Sequence, residues 1–222
     1  MKGLLVKDFR LVLQNKRMFA ILGIVAVIFY ASQGAEASGF VISYVTMLCG
    51  MMVLSTISTD EFDNSILFLM TLPVTKKTYA LEKYVFTFCI SFAGWFVATA
   101  VSLLITNGER GELFLISIVI FAVLLLFFML LLPIQLKYGG EKGRMVLLII
   151  VALIMLAGFG IKELGKRIFD SQEEALGWMM KMVDKISEIP VGVLIGAGIV
   201  VWLICLFVSI GISVRIMEKK EM

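Results

Sequence analysis

The sequence predicts an all-α integral membrane protein with six transmembrane helices. Three observations carry that prediction. Sixty per cent of the 222 residues are apolar, and the mean hydropathy is +1.02. Charged residues make up 17% of the chain, against about a quarter in a soluble domain. Several runs of 17 or more residues carry no charge, enough to cross roughly 30 Å of hydrocarbon at about 1.5 Å per residue. A soluble core does not absorb them all, and the length accommodates one membrane domain, residues 1–222.

The six spans fall at about residues 19–35, 38–57, 79–106, 113–134, 145–161 and 191–214. Each is a helix, because backbone in contact with lipid has to satisfy its own hydrogen bonds. The first reads as a retained helix rather than a cleaved signal, since a basic stretch of 17 residues precedes it and no small-residue cleavage site follows. Lysine and arginine placement gives the orientation. With the N-terminus in the cytoplasm, fourteen bases lie inside, from Lys2, Lys7, Arg10, Lys16 and Arg17 to Arg215, Lys219 and Lys220. Outside stand Arg110 and a long loop, 162–190, with five bases against six acids. Both termini are therefore expected in the cytoplasm.

Three segments outside the spans are informative. In residues 1–17, Leu5, Phe9 and Val12 share a helical face, with Leu4 and Leu11 at its margin and Lys2, Lys7 and Arg10 polar. That pattern suits a helix in the inner interface whose bases face anionic lipid. After the second span, Ser58 with Glu61 three residues on has the form of a capping box. Asp60, Glu61 and Asp63 would load the first turn with the negative charge a helix N-terminus favours. Phe62, Ile66 and Leu69 recur at helical spacing before Leu72-Pro73 ends the helix. A short cytoplasmic helix at about 59–72 thus presents an apolar stripe, to the membrane surface or to a groove on a partner. In the outer loop, Ile168, Leu176, Met179 and Met182 predict helical structure resting on the outer leaflet.

Chemistry is mostly excluded. The chain has no histidine, which removes His-based metal sites, Ser-His catalysis and His proton relays. The three cysteines, Cys49, Cys89 and Cys205, sit singly in apolar runs and read as small buried hydrophobes. Gly160 to Lys166 matches the first seven positions of a phosphate-binding P-loop, but Arg167 stands where Ser or Thr must hold magnesium, and a membrane helix precedes it. The chain is therefore expected to hydrolyse no ATP itself and to bind no cofactor or metal. Glu82 and Lys83 are the ionisable residues within a span; near its inner end, they are expected to snorkel to water. Gly192 and Gly196 have the spacing that lets membrane helices approach closely.

One region carries a resemblance. Asp60-Glu61, then Asn64-Ser65 running to Leu72-Pro73 and Lys76-Lys77, then Glu82-Lys83-Tyr84 entering the next span, is similar to the permease subunits of ABC-2 type transporters. The start Leu4, Leu5, Lys7, Asp8, Phe9, Arg10 and the layout of spans agree. The resemblance implies a permease of the bacterial plasma membrane, itself no enzyme, served by two copies of a separate ATPase that binds ATP and magnesium. It implies pairing with a second permease, identical or paralogous. The 59–72 segment would be the coupling helix, with Asp60, Glu61, Phe62, Ile66 and Leu69 docking the ATPase. Leu5, Lys7, Phe9 and Arg10 would belong to the interfacial helix. By the same likeness the cargo would be an amphipathic peptide or other hydrophobic molecule, exported. The alternatives are a lipid or antibiotic exporter permease, and a membrane scaffold or sensor that recruits a cytoplasmic partner. Nucleic acid is not expected as a partner.

Overall fold

The structure is a computed structural model and describes residues 2–62, 75–106, 108, 110–139, 143, 145, 146, 149, 152 and 191–219. Among the described residues, six α-helices form: α1 (Lys2–Gln14), α2 (Lys16–Gln33), α3 (Ser38–Phe62), α4 (Lys76–Ile105), α5 (Arg110–Tyr138) and α6 (Val191–Lys219). A 3-10 turn, Gly34–Ala37, joins α2 to α3. No strand occurs among the described residues. Two compact units divide the chain. The first holds residues 1–143 and 206–222, and the second 144–205, which includes the first half of α6.

Among the described residues, four segments are long and apolar enough to cross a membrane. They are Lys16–Asp60, which the 3-10 turn divides into α2 and α3, then Lys76–Ile105, Arg110–Tyr138 and Gly198–Lys219. The distribution of polarity in the first unit supports a membrane setting. Ser38, Thr46, Thr87, Ser91, Thr99, Ser102 and Ser117 are buried, while Val27, Leu104 and Leu115 are at least 64% exposed. Small hydroxyls inside and large aliphatics outside is the reverse of a soluble bundle. Many of these hydroxyls fold back on their own helix, as Thr46 does to the Ile42 carbonyl (2.7 Å) and Ser102 to that of Ala98 (2.7 Å).

Helix α3 is the spine of the first unit. It runs antiparallel to α4: Ser38 lies by Thr106 (3.4 Å) at one end, Cys49 by Gly94 in the middle, and Thr56 by Lys83 (3.1 Å) at the other. Lipid is as apolar as leucine, so such helices hold together by close packing and interhelical hydrogen bonds. Two glycines make the closest approaches. A Cβ on Gly94 would stand 2.5 Å from the Cys49 sulfur, and one on Gly50 would overlap the Phe128 ring. Around Cys49, Ala37, Val41, Ile42 and Val45 pack with Trp95 and Ala98, and Leu22, Ala26 and Phe29 of α2 close that core. Tyr30 of α2 hydrogen-bonds Ser102 of α4 (2.6 Å), and the Trp95 indole N–H donates to the Ser117 carbonyl of α5 (2.9 Å).

Pro133 lies inside α5. Having no N–H, it leaves the Met129 carbonyl four residues back without its helical donor. Ser209 of α6 donates its hydroxyl to that oxygen. Ser209 and Ser213 also hydrogen-bond the Tyr84 hydroxyl of α4 (2.6 and 2.7 Å), so one turn of α6 ties two other helices.

Several expectations meet a different outcome. Cys49 is buried, but Cys89 and Cys205 are exposed, because each falls on an outward face of its helix. Within this chain a Cβ on Gly196 would meet nothing within 4 Å, and the surroundings of Gly192 lie outside the described residues. Close approaches in the first unit are made by Gly50 and Gly94, single small residues opposite large ones, which no spacing motif marks. The Ser58 capping box is not formed either. No helix breaker lies between Ile57 and Phe62, so α3 continues through, and Ser58 donates within it to the Leu54 carbonyl (3.3 Å). The side chains of Glu61 and Phe62, the residues Ile66, Leu69 and Leu72-Pro73, the fifth span apart from isolated positions, the P-loop-like stretch and the outer loop 162–190 lie outside the described residues.

Candidate coupling site

At one end of the first unit α1 meets the end of α3 and the start of α4. Helix α1 attaches by a narrow face: Leu4, Asp8 and Val12, spaced by four, are buried, while Val6, Phe9 and Leu13 are about half exposed. Val12 packs with Met52 and Val53 of α3 and Phe86 of α4. The stripe expected from periodicity, Leu5, Phe9 and Val12, is therefore displaced around the helix. The cause is Asp8, which a periodicity reading assigns to the wet side and which here is fully buried.

Asp8 is buried because Lys83 is. The Lys83 ammonium, 0% exposed, pairs with the Asp8 carboxylate and lies 3.1 Å from both Asp60 Oδ2 and Thr56 Oγ1. Thr56 also donates to Asp8 Oδ2 (3.4 Å), and the Tyr79 hydroxyl donates to Asp60 Oδ2 (3.0 Å). The same ammonium stands 5.1 Å from the centre of the Tyr79 ring. Lys7 closes the network from the half-wet side, bonded to Asp60 Oδ1 and 3.3 Å from Asp8 Oδ1. Burial pulls the Lys7 ammonium down. The hydrogen bond and charge of Asp60, with Asp8 behind it, outweigh that, and its pKa rises above the ordinary lysine value. Two acids and two bases from α1, α3 and α4 thus interlock away from water.

The expectation that Glu82 and Lys83 snorkel is overturned, since Glu82 is 1% exposed and Lys83 not at all. Reaching for water is unnecessary when α1 brings Asp8 over the ammonium and α3 brings Asp60 from the side. Glu82 lies 4.0 Å from the Lys83 ammonium, and neither of its carboxylate oxygens accepts a hydrogen bond. Lys7, expected to face lipid, turns inward, whereas Arg10 remains exposed with Phe9. Asp60, named as a docking residue, is 2% exposed and engaged within the chain. It anchors the start of the 59–72 segment to α1 and α4.

Sequence reasoning missed Asp8, Thr56 and Tyr79 as members of this site. A signal for Asp8 existed: it shares a face with Leu4 and Val12 at a four-residue spacing, and the Glu82-Lys83 pair within a span called for a partner. The remaining helix ends collect at this same end. Gln135, near the end of α5, donates to the Ser58 hydroxyl (3.1 Å), and Glu218, in the last turn of α6, pairs with Lys77 (3.2 Å).

The cluster lacks the arrangement of a catalytic site. Its carboxylates are already occupied by ammonium groups, no nucleophile stands beside a free base, and the described residues hold no metal-binding group of acids or cysteines. It can join three helices and keep them in register. Comparison with curated proteins gives no match. The family of ABC-2 family transporter proteins, by contrast, matches over residues 3–218, nearly the whole chain. With its apolar helices and a family whose membrane component carries no ATPase of its own, the chain belongs to the ABC-2 family transporter proteins, as the membrane permease of an ABC transporter.

Proposed function

We propose that this permease works in an ATP-driven exporter and moves an amphipathic peptide or other hydrophobic cargo out of the cell. Its working form crosses the bacterial plasma membrane six times, with both termini in the cytoplasm. A separate ATPase, in two copies, docks on the segment 59–72, and a second permease, identical or paralogous, completes the pathway. The observation that supports this reading best is the buried network of Lys83, Asp8, Asp60 and Lys7. It ties α1 and α4 to the last turn of α3, where the chain leaves for residues 63–74. A push on that segment reaches α1 and α4 through ion pairs with almost no access to water, where a surface contact would be softened by solvent.

The interior supports the cargo class. Among the described residues of α2 to α6, the ionisable groups lie toward the helix ends, and the buried polar residues between are serines and threonines. Such a lining offers nothing to neutralise a strongly charged solute and suits an apolar or amphipathic one.

Co-purification tests the proposal. An ABC ATPase co-expressed with the permease as its candidate partner is expected to co-purify with the wild type and to be lost with the Phe62→Asp, Leu69→Asp double variant. Equal recovery with both forms would remove the coupling assignment and favour a membrane scaffold. Transport of a labelled amphipathic peptide into inverted vesicles then tests direction: uptake on addition of ATP is expected.

A further inference from the structure

We infer that the first unit carries a seat for an anionic phospholipid between the ends of α5 and α6, formed by Lys137, Arg215 and Lys219. Among the described residues, the three bases line a pocket of about 450 Å³ together with Ile212 and Ile216. On α6 the residues 212, 215, 216 and 219 are spaced so that they fall on one face, with Lys137 of α5 across from them. Among the described lining residues there is no acid. The nearest acid in sequence, Glu218, is taken up by Lys77 at 3.2 Å. Lys137 lies 4.9 Å over the ring of Tyr138, a contact that leaves its charge in place.

Below the cations the face turns apolar. Ile212 is 47% exposed and Val208, one turn farther into the membrane, is 54% exposed. A cluster of positive charge above a continuous aliphatic track fits an amphiphile, with phosphate against the bases and an acyl chain along Ile216, Ile212 and Val208. A free phosphate would use the charges and leave the track bare. Bases at the ends of two helices also complement the helix dipoles, but that role requires no convergence on one pocket. Basic pockets between membrane helices at the inner boundary select anionic headgroups by the same physics. The site is separate from the Lys83 network and independent of what the permease transports.

The test is lipid retention by native mass spectrometry. The purified chain is exposed to equal amounts of phosphatidylglycerol and phosphatidylcholine with identical acyl chains. The wild type is expected to retain phosphatidylglycerol preferentially. The variant Lys137→Gln, Arg215→Gln, Lys219→Gln is expected to lose that preference by on the order of a hundredfold, about fivefold for each base. Replacing both lysines by arginine should keep it, which separates lost charge from lost fold. A variant with Lys16→Gln and Arg17→Gln, exposed bases outside the pocket, should also keep it. Four outcomes overturn the inference: retention indifferent to headgroup, retention unchanged in the triple variant, an equal loss in the Lys16 and Arg17 variant, or displacement of the lipid by inorganic phosphate. A triple variant that keeps its lipid but loses a co-purifying protein would assign the bases to an acidic protein surface, and overturns it as well.

Discussion

The two halves of the α3–α4 seam are held by opposite means. Toward one end, Cys49, Gly94, Trp95 and Ala98 make an apolar contact whose tightness comes from the missing side chain of a glycine. Toward the other, Thr56, Asp60, Tyr79 and Lys83 join across the same pair of helices by charge, and α1 adds Asp8 and Lys7. The contrast teaches what each kind of contact is good for. Glycine packing tolerates sliding along the seam, because many positions of a smooth surface are nearly equal in energy. A buried ion pair does not: displacement exposes uncompensated charges, so it fixes one register at little net gain in stability. The ionic half is also the half from which the chain leaves for residues 63–74, part of the segment proposed to dock the ATPase.

The sharpest way to break the comparison is Lys83→Met, which leaves Asp8 buried with only Lys7 and Thr56 for partners. It is expected to cost about 3–5 kcal/mol, read as a large drop in thermal midpoint in detergent. Asp8→Leu combined with Lys83→Met should recover most of that loss, because an apolar pair of similar volume replaces the ion pair. If the double variant is as unstable as the single one, the network is a stabilising element and the register argument fails. Gly94→Leu attacks the apolar half. The new side chain meets Cys49 of α3, and overpacking of about 1–3 kcal/mol is expected, measured in the same unfolding assay. A smaller effect follows from Tyr84→Phe, which removes the hydroxyl that Ser209 and Ser213 share. Interhelical hydrogen bonds of this kind contribute about 0.6 to 1.7 kcal/mol. The least is expected from Lys7→Gln, as Lys7 is 32% exposed. Its raised pKa means that its contribution is complete below the ordinary lysine value, about 10.4, and is lost as pH climbs through the raised one. The difference in midpoint between Lys7→Gln and wild type should therefore be constant near neutrality and vanish in strong alkali.

How much was legible in the sequence follows the physics of each half. Hydropathy depends on composition over twenty residues, so the long apolar helices could be read directly, along with the membrane setting. The family resemblance rested on order and spacing at residues 60–84 and on the Leu4–Arg10 start, features that survive without knowing a single contact. The site itself was only half visible. Lys83 and Glu82 were noticed because charge in a span is rare, but their destination depends on α1, whose arrival at α4 no local pattern records. Asp8 goes unassigned in the face reading of α1, and its partner Lys83 lies 75 residues away. Ser58 was read as a helix start because its chemistry fits a cap, while the unbroken run of helix-compatible residues around it decided otherwise. Gly192 and Gly196 carry the familiar spacing, while the close approaches of the first unit fall at Gly50 and Gly94, which no spacing marks.

The hydroxyl of Ser209 on the Met129 carbonyl has a consequence for how the protein is made. Synthesis completes α5 with an unsatisfied oxygen at its proline, and the residue that satisfies it emerges 80 residues later. Until then the nascent chain holds a polar defect facing lipid, a mark by which quality control can tell an unfinished molecule from a finished one. Docking of the last helix erases the mark. A ribosome that stops short of Ser209 therefore releases a chain that still displays it, and such a fragment should be cleared by membrane proteases faster than the full-length Tyr84→Phe protein, in which the Ser209 contact persists.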